Sequence, residues 1–128
     1  MTQEEKELLI KDLCARLPYS GVQIYVSYED GFKYDKTLTY EDVKNYCQLP
    51  ACSTTIVKPY LRPLSSMTED EYNELKELSS YYGLAPFEDI HNWTPNYELI
   101  GWLNAHHFDY RGLIPKGLAI EAQPEIYK

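Results

Sequence analysis

The sequence predicts an α+β fold, in which a small antiparallel sheet of three or four strands packs against about three helices. Two segments begin with a threonine capping box and carry apolar residues at helical spacing. Residues 22–28 alternate apolar and polar side chains, as a half-buried strand does. The elements follow in the order α-β-β-(α)-β-α-α-β, which favours helices on one face of an antiparallel sheet.

The first element is a helix predicted over residues 2–17. Thr2 is expected to be its N-cap, with Glu5 three residues later as the second member of a capping box. Pro18 ends the helix because proline cannot continue it. The spacing predicts a buried stripe that consists of Leu9, Ile10, Leu13, Cys14 and Leu17.

A β-hairpin is predicted next, with strands over residues 22–28 and about 32–38. A two-residue loop would put charged residues of the second strand on the apolar face. A three-residue loop with Gly31 in the left-handed conformation instead pairs Val26 with Tyr34. The pattern therefore predicts a type I turn followed by a bulge.

Residues 39–53 are ambiguous from sequence. Thr39 could cap a short helix, with Asp42 as a weaker partner in a capping box. The β-branched run over residues 54–58 predicts a third strand. The residues that lead up to Pro63 are expected to be extended, because a residue before proline avoids the helical region.

Two further helices are predicted in the second half of the chain. The first begins at Thr68, with Glu71 completing a capping box, and ends at Gly83. The second begins at Thr94, with Pro95 at its first helical position. The buried stripe of the first contains Tyr72, Leu75, Leu78 and Tyr82. The stripe of the second contains Leu99, Trp102, Leu103 and His106.

The end of the chain predicts a short strand and a tail, and the length of the chain predicts a single domain. Residues 118–120 are expected to form a short extended segment that could close the sheet, and the tail from about residue 123 to be loose. A chain of 128 residues without linkers or repeats predicts one domain over residues 1–128.

Composition and charge disfavour several classes of function. The net charge of −8 disfavours binding to nucleic acid, because such affinity depends on neutralising phosphates. No apolar run has the length needed to span a bilayer, and the charged start of the chain lacks the apolar core of a signal peptide. We therefore expect a cytoplasmic protein with neither nucleic acid nor membrane as a partner.

The cysteines are three in number: Cys14, Cys47 and Cys52. An odd count fits a reducing compartment and buried free thiols, although a disulfide between Cys47 and Cys52 stays open. This pair alone does not supply the four ligands of a structural zinc ion. We expect no metal site and no cofactor.

The best candidate for a site is the sequence HHFDYR at residues 106–111. A carboxylate such as Asp109 or Glu98 could orient His106 or His107 as a general base. No nucleophile motif accompanies them, so no catalytic residue is predicted. Basic side chains at a helix end also stabilise the helix through its dipole, and this structural role is the favoured alternative.

Arg62 and Arg111 each lie in an aromatic neighbourhood. Arginine beside tyrosine is typical of sites that hold a phosphate by bidentate contact and stacking. If the two segments converge, they form a pocket for an anionic ligand. The alternative favoured by 20 acidic residues is that each arginine pairs with its own carboxylate. The predicted ligand-binding residues are Tyr60, Arg62, His106, His107, Tyr110 and Arg111.

Two blocks of sequence carry a resemblance to a known family. KPYLRPLSSMT at residues 58–68 and WLNAHHFDYRGLI at residues 102–114 resemble small uncharacterised proteins of gut Bacteroidales and their phages or prophages. With the similar start of the chain, the matching blocks cover about half of it. The resemblance implies an origin, and it carries over no activity, cofactor or catalytic residue.

A phage or prophage origin implies a non-catalytic accessory protein. Such a protein would bind a host protein or a small phosphate-bearing ligand, for example by sequestering a signal nucleotide in counter-defence. The alternatives are a small histidine-dependent hydrolase and a structural or virion-associated protein. Formation of a homo-oligomer stays open.

Overall fold

The computed structural model describes residues 2–19, 21–49, 53–81, 97–123 and 125–127. Within these residues the predicted α+β class is confirmed, with four α-helices and four strands. The elements are α1 (Gln3–Arg16), β1 (Gln23–Ser27), β2 (Lys33–Thr37), α2 (Tyr40–Gln48), β3 (Ile56–Leu61), α3 (Glu69–Tyr81), α4 (Tyr97–Ala105) and β4 (Ile120–Glu121). A 3-10 turn at Leu64–Ser66 lies between β3 and α3.

The sheet is mixed, where the sequence predicted an antiparallel one. Its strand order is β2-β1-β3-β4. Strand β1 is antiparallel to both β2 and β3, whereas β4 is parallel to β3. A parallel neighbour requires a long crossover connection, and the segment that contains α3 and α4 provides it.

The predicted hairpin register is confirmed. Val26 lies opposite Tyr34, and the backbone N–H of Tyr28 donates to the carbonyl oxygen of Phe32 at 2.8 Å. Gly31 has a φ of 89°, the left-handed conformation that the three-residue loop requires. In the order of the described strands, β2 lies at one edge of the sheet.

The main core lies between one face of the sheet and helices α1 and α2. Leu9 and Leu13 of α1 and Tyr46 of α2 are buried against Ile24 of β1 and Leu61 of β3. A second cluster joins α3 to α4 and to the segment after α4, and it consists of Leu75, Trp102, Leu103 and Phe108. The same segment contributes Leu113 and Leu118 to the main core, so it contacts both clusters.

The capping box of α1 is confirmed, but the buried stripe differs from the prediction. Thr2 and Glu5 cap each other's backbone N–H groups. Cys14 is exposed, whereas the charged residues Asp12 and Arg16 are fully buried. The helix is rotated so that an ion pair, rather than the thiol, faces the interior. The second described cysteine, Cys47, is exposed as well, which corrects the expected burial of the thiols.

The ambiguous segment after β2 forms α2, and Thr39 and Asp42 make the capping box that the sequence suggested. The capping box of Thr68 and Glu71 at the start of α3 is also confirmed. Strand β3 runs on beyond the predicted residue 58 as far as Leu61. The capping positions Gly83, Thr94 and Pro95, the residues Cys52 and Tyr82, and the side chains of Leu78 and Leu99 lie outside what the structure describes.

Two further predictions, the burial of Tyr72 and the looseness of the whole tail, are wrong. Tyr72 of the α3 stripe has 36% of its surface exposed, so Leu75 is the buried member of that face. Part of the tail that we expected to be loose packs on the sheet instead. The hydroxyl of Tyr127 donates to the carbonyl oxygen of Tyr60 at 2.6 Å and accepts from the backbone N–H of Gln23 at 2.9 Å.

Candidate functional site

The HHFDYR segment lies directly against the end of β3. Helix α4 ends at Ala105, and His107 takes a left-handed φ of 65° that turns the chain. The backbone N–H of Arg62 then donates to the carbonyl oxygen of His107 at 2.8 Å, and that of Asp109 donates to Arg62 at 2.9 Å. The structure thus brings Arg62 and the histidine pair together, as the candidate site requires.

The guanidinium group of Arg62 forms a bidentate ion pair with Glu71. Its Nη1 and Nη2 atoms donate to the two carboxylate oxygens at 2.7 and 2.6 Å. The same group stacks over the ring of Phe108, with 4.2 Å to the ring centroid. The hydrogen bonds from Arg62 lower the pKa of Glu71 to about 2. An external carboxylate or phosphate would bind through the same two guanidinium nitrogens, so Glu71 occupies the position that such a ligand would take.

Arg111 is paired with a different acid. Its Nε atom lies 3.2 Å from Oδ1 of Asp12, and its Nη2 donates to the hydroxyl of Tyr110 at 3.2 Å. Arg62 and Arg111 therefore pair with different acids, Glu71 and Asp12, as the favoured alternative of a carboxylate partner for each arginine expected. Tyr60 is also engaged elsewhere, since its hydroxyl donates to Asp35 of β2 at 2.7 Å.

A buried charge network beside Tyr110 contains a residue that the predicted set omits. Arg16 is fully buried and donates to Asp12 through Nε at 2.8 Å and to the carbonyl oxygen of Phe108 at 2.7 Å. Arg16 and Arg111 both approach the ring of Tyr110, with 5.4 and 4.9 Å to its centroid. Two guanidinium groups do converge beside a phenol ring, but the pair is Arg16 and Arg111.

The spacing of α1 contained a signal for this network. Asp12 and Arg16 stand four residues apart, and they share a helix face with the buried Leu9 and Leu13. An acid and a base at that spacing can pair on a helix, and here the structure buries the pair. Nη1 of Arg16 has no hydrogen-bond partner in the described part of the chain.

The two histidines occupy different environments. The ring of His106 stacks on Trp102 with centroids 4.1 Å apart, and its Nδ1 lies 2.8 Å from the carbonyl oxygen of Trp102. The ring of His107 stacks on Tyr127 with centroids 3.8 Å apart. Burial, together with the charges of Arg16 and Arg62, lowers the pKa of His107 to about 4. Within the described residues, neither imidazole hydrogen bonds to a carboxylate.

A cavity of about 500 Å³ opens beside Arg62. It reaches from the Arg62–Glu71 ion pair at the start of α3 to Tyr127 near the end of the chain. Its lining residues are Arg62, Ser66, Thr68, Glu71, Ala122, Gln123 and Tyr127. This volume falls in the range of small-molecule sites, and the wall offers both hydrogen-bond donors and acceptors.

No cluster of three or more potential metal ligands occurs among the residues that the structure describes. In the same part of the chain, no helix has the length and apolar character needed to cross a membrane. No family model, curated protein or solved structure matches the chain. Inference about function therefore rests on the geometry of the chain itself.

Proposed function

We propose that this chain is a non-catalytic binding protein, and that the cavity between Arg62 and Tyr127 holds a small polar ligand. The observation that carries the proposal is a cavity of about 500 Å³ whose wall includes a guanidinium, a carboxylate, a phenol and an amide. Ligand sites are typically concave and of this size, with a few convergent polar groups that orient the ligand.

The charges of the wall favour a neutral or zwitterionic ligand. Arg62 and Glu71 neutralise each other, since the low pKa of Glu71 keeps its carboxylate ionised at neutral pH. The neighbouring His107 is neutral at that pH because its pKa is about 4. Such a wall can donate and accept hydrogen bonds but has no surplus charge to attract an ion.

A phosphate-bearing ligand, such as a signal nucleotide, is the second candidate. It is favoured by the presence of Arg62 in the cavity wall, because arginine holds phosphate in the same bidentate manner as a carboxylate. Such a ligand would have to displace Glu71 from Arg62. Sequestration of a small molecule is also one of the accessory roles, beside binding of a host protein, that the resemblance to phage and prophage proteins implies.

The proposal is tested by thermal shift and ligand-observed NMR with a panel of amino acids, nucleosides and nucleoside phosphates. We expect at least one neutral or zwitterionic member to raise Tm. The variant Gln123→Trp fills the cavity from its exposed side and should abolish that shift. The matched control is Gln48→Trp, at the exposed end of α2, which should leave the shift intact.

Two outcomes would contradict a ligand site in this cavity. One is the absence of binding by every member of the panel at millimolar concentration. The other is a ligand-induced shift that survives in Gln123→Trp. A shift by phosphate compounds alone that grows in Glu71→Gln would favour the second candidate, because that change frees the guanidinium of Arg62.

A further inference from the structure

The outer edge of β2 offers backbone groups for pairing. Residues 26 and 34 lie opposite each other. At the two ends of the ladder, the carbonyl oxygen of Phe32 accepts from the N–H of Tyr28, and the N–H of Leu38 donates to the carbonyl oxygen of Val22. In an antiparallel ladder the bonded pairs alternate with non-bonded ones. The N–H and C=O groups of Lys33, Asp35 and Thr37 therefore point away from β1. Among the described residues, no strand pairs with this side of β2.

An aromatic cluster lies at the same end of the hairpin. Phe32 is 62% exposed and Tyr28 is 42% exposed, and their rings stack with centroids 6.4 Å apart. Tyr34 packs against both rings, with a centroid distance of 5.6 Å to Phe32. An exposed aromatic surface next to an unpaired strand is the usual composition of a protein contact rather than of a solvated edge.

The sequence of β2 is complementary to itself in one antiparallel register. We propose that two copies of this chain pair through β2 about a twofold axis at Tyr34, which joins their sheets into one. In this register Lys33 of each copy lies opposite Asp35 of the other. Both residues point their backbone groups outward, so each pair also makes two backbone hydrogen bonds.

The side chains on the other face of β2 fit the same register. The two Tyr34 residues face each other across the axis as a non-bonded pair, where side chains approach most closely. Phe32 of each copy lies opposite Lys36 of the other, so the exposed ring is covered by a lysine stem. The Nζ of Lys36 remains paired with Asp42 of its own chain at 2.9 Å.

Neighbouring registers put like charges together. Moving the axis to Lys33 would place the two Lys33 side chains opposite each other, and moving it to Asp35 would do the same for the two carboxylates. An axis at Lys36 would make two Lys36 residues face each other. Like charges directly opposite destabilise a strand pair. Among the registers centred on residues 33 to 36, charge therefore selects the one centred on Tyr34.

The dimer is expected to be weak and dependent on salt. A pair of five-residue strands with a small aromatic surface falls at the low end of specific interfaces. Each chain also carries a net charge of −8, which repels a second copy until salt screens it. Sedimentation should be measured at physiological salt from about 1 μM to about 1 mM, a range that brackets the Kd of small transient interfaces.

Charge reversal tests the register directly. Lys33→Asp and Asp35→Lys should each raise the dimer Kd by about 10-fold or more, because each puts two like-charged pairs across the axis. The double variant Lys33→Asp/Asp35→Lys restores both pairs and should dimerise as the parent chain does. Tyr60→Phe is the control for Asp35, since it removes the intrachain hydrogen bond and leaves the edge unchanged.

Disulfide trapping supplies an independent readout. In a background with Cys14, Cys47 and Cys52 changed to serine, Tyr34→Cys should give a covalent dimer on oxidation. Its two Cα atoms would lie about 4.5 Å apart, within disulfide range. Thr37→Cys should stay monomeric, because the same register separates its two copies by about 20 Å.

Three results would overturn the edge-strand dimer. The first is a parent chain that sediments as a monomer up to about 1 mM, beyond the Kd of weak specific contacts. The second is dimerisation that both single charge variants leave unchanged while circular dichroism shows them folded. The third is equal trapping of Tyr34→Cys and Thr37→Cys. None of these depends on ligand binding in the cavity.

Discussion

The guanidinium group of Arg16 and the carboxylate of Asp12 are both fully buried, with 2.8 Å between Nε and Oδ2. Asp12 also accepts from Arg111, so one acid serves two bases. Together they tie α1 to the segment after α4, because Arg16 donates to the carbonyl oxygen of Phe108 as well. Breaking such a network by removing one partner costs more than the pair itself contributes.

Asp12→Asn should be strongly destabilising, because it leaves the buried Arg16 without its counter-charge. We expect the free energy of unfolding to fall by about 3 kcal/mol or more. Chemical denaturation at pH 7 measures the change. The control is Glu7→Gln on the exposed face of α1, which should change the free energy of unfolding by less than about 0.5 kcal/mol. Equal effects of the two changes would show that the network does not stabilise the fold.

The pair of Arg62 and Glu71 predicts a loss of stability in acid. The pKa of Glu71 is about 2 in the folded state, against 4.5 for the free group. A depressed folded pKa gives stability that is complete above about pH 4.5 and lost as the pH falls towards 2. Allowing for solvent screening, the loss should be about 1–2 kcal/mol.

Glu71→Gln isolates this contribution. Glutamine keeps the capping box with Thr68 but cannot titrate. The variant should lose the part of the acid dependence that arises between pH 4.5 and 2, as followed by urea unfolding. Glu69→Gln, an exposed change on the same turn, should keep the full dependence. An unchanged acid profile in Glu71→Gln would contradict the role of the ion pair.

The elements that the sequence predicted well depend on local chemistry. Capping boxes at Thr2, Thr39 and Thr68 involve residues three apart, so their partners can be read along the chain. The register of the hairpin follows from the alternation of β1 and the left-handed Gly31. Neither depends on how distant segments pack. The parallel strand β4 does, and its direction did not follow from two residues of sequence.

The composition of the site was harder to predict because it depends on long-range pairing. The sequence left open whether Arg62 and the HHFDYR segment would meet, and it could not say which acid each arginine would pair with. Asp12 lies 99 residues from Arg111 along the chain, and only the fold brings them together. Tyr127 was missed for the same reason, since its partner His107 belongs to another element.

The loop of the hairpin predicts a conformational effect at Gly31. Its φ of 89° is strained for any residue with a side chain. Gly31→Ala should lower the free energy of unfolding by about 1 kcal/mol, and Gly31→Asn by less, because asparagine tolerates the left-handed region better. Apart from Gly31 and its two chain neighbours, no described residue has an atom within 4 Å of an added Cβ, so a steric clash with them would not contribute. Thermal unfolding of the two variants measures the difference, and a larger loss in Gly31→Asn would contradict the argument.

The neutral state of His107 predicts a second dependence on pH, at less acid values than that of Glu71. Its pKa is about 4 in the folded state and 6.5 when exposed, so the unfolded chain binds a proton first as the pH falls. Stability from this group is therefore complete above pH 6.5 and declines towards pH 4. After allowance for partial exposure, the decline should be about 1–2 kcal/mol.

His107→Asn removes the titrating ring and suits the left-handed φ of 65°. We subtract the free energy of unfolding of this variant from that of the parent chain. This difference should fall by about 1–2 kcal/mol from pH 7 to pH 4, and urea denaturation at each pH measures it. His106→Asn is the comparison, because the same change in the neighbouring residue leaves the buried ring of His107 in place. A parent-minus-variant difference for His107→Asn that stays constant across this range would mean that the imidazole is solvated and protonates freely in the folded protein.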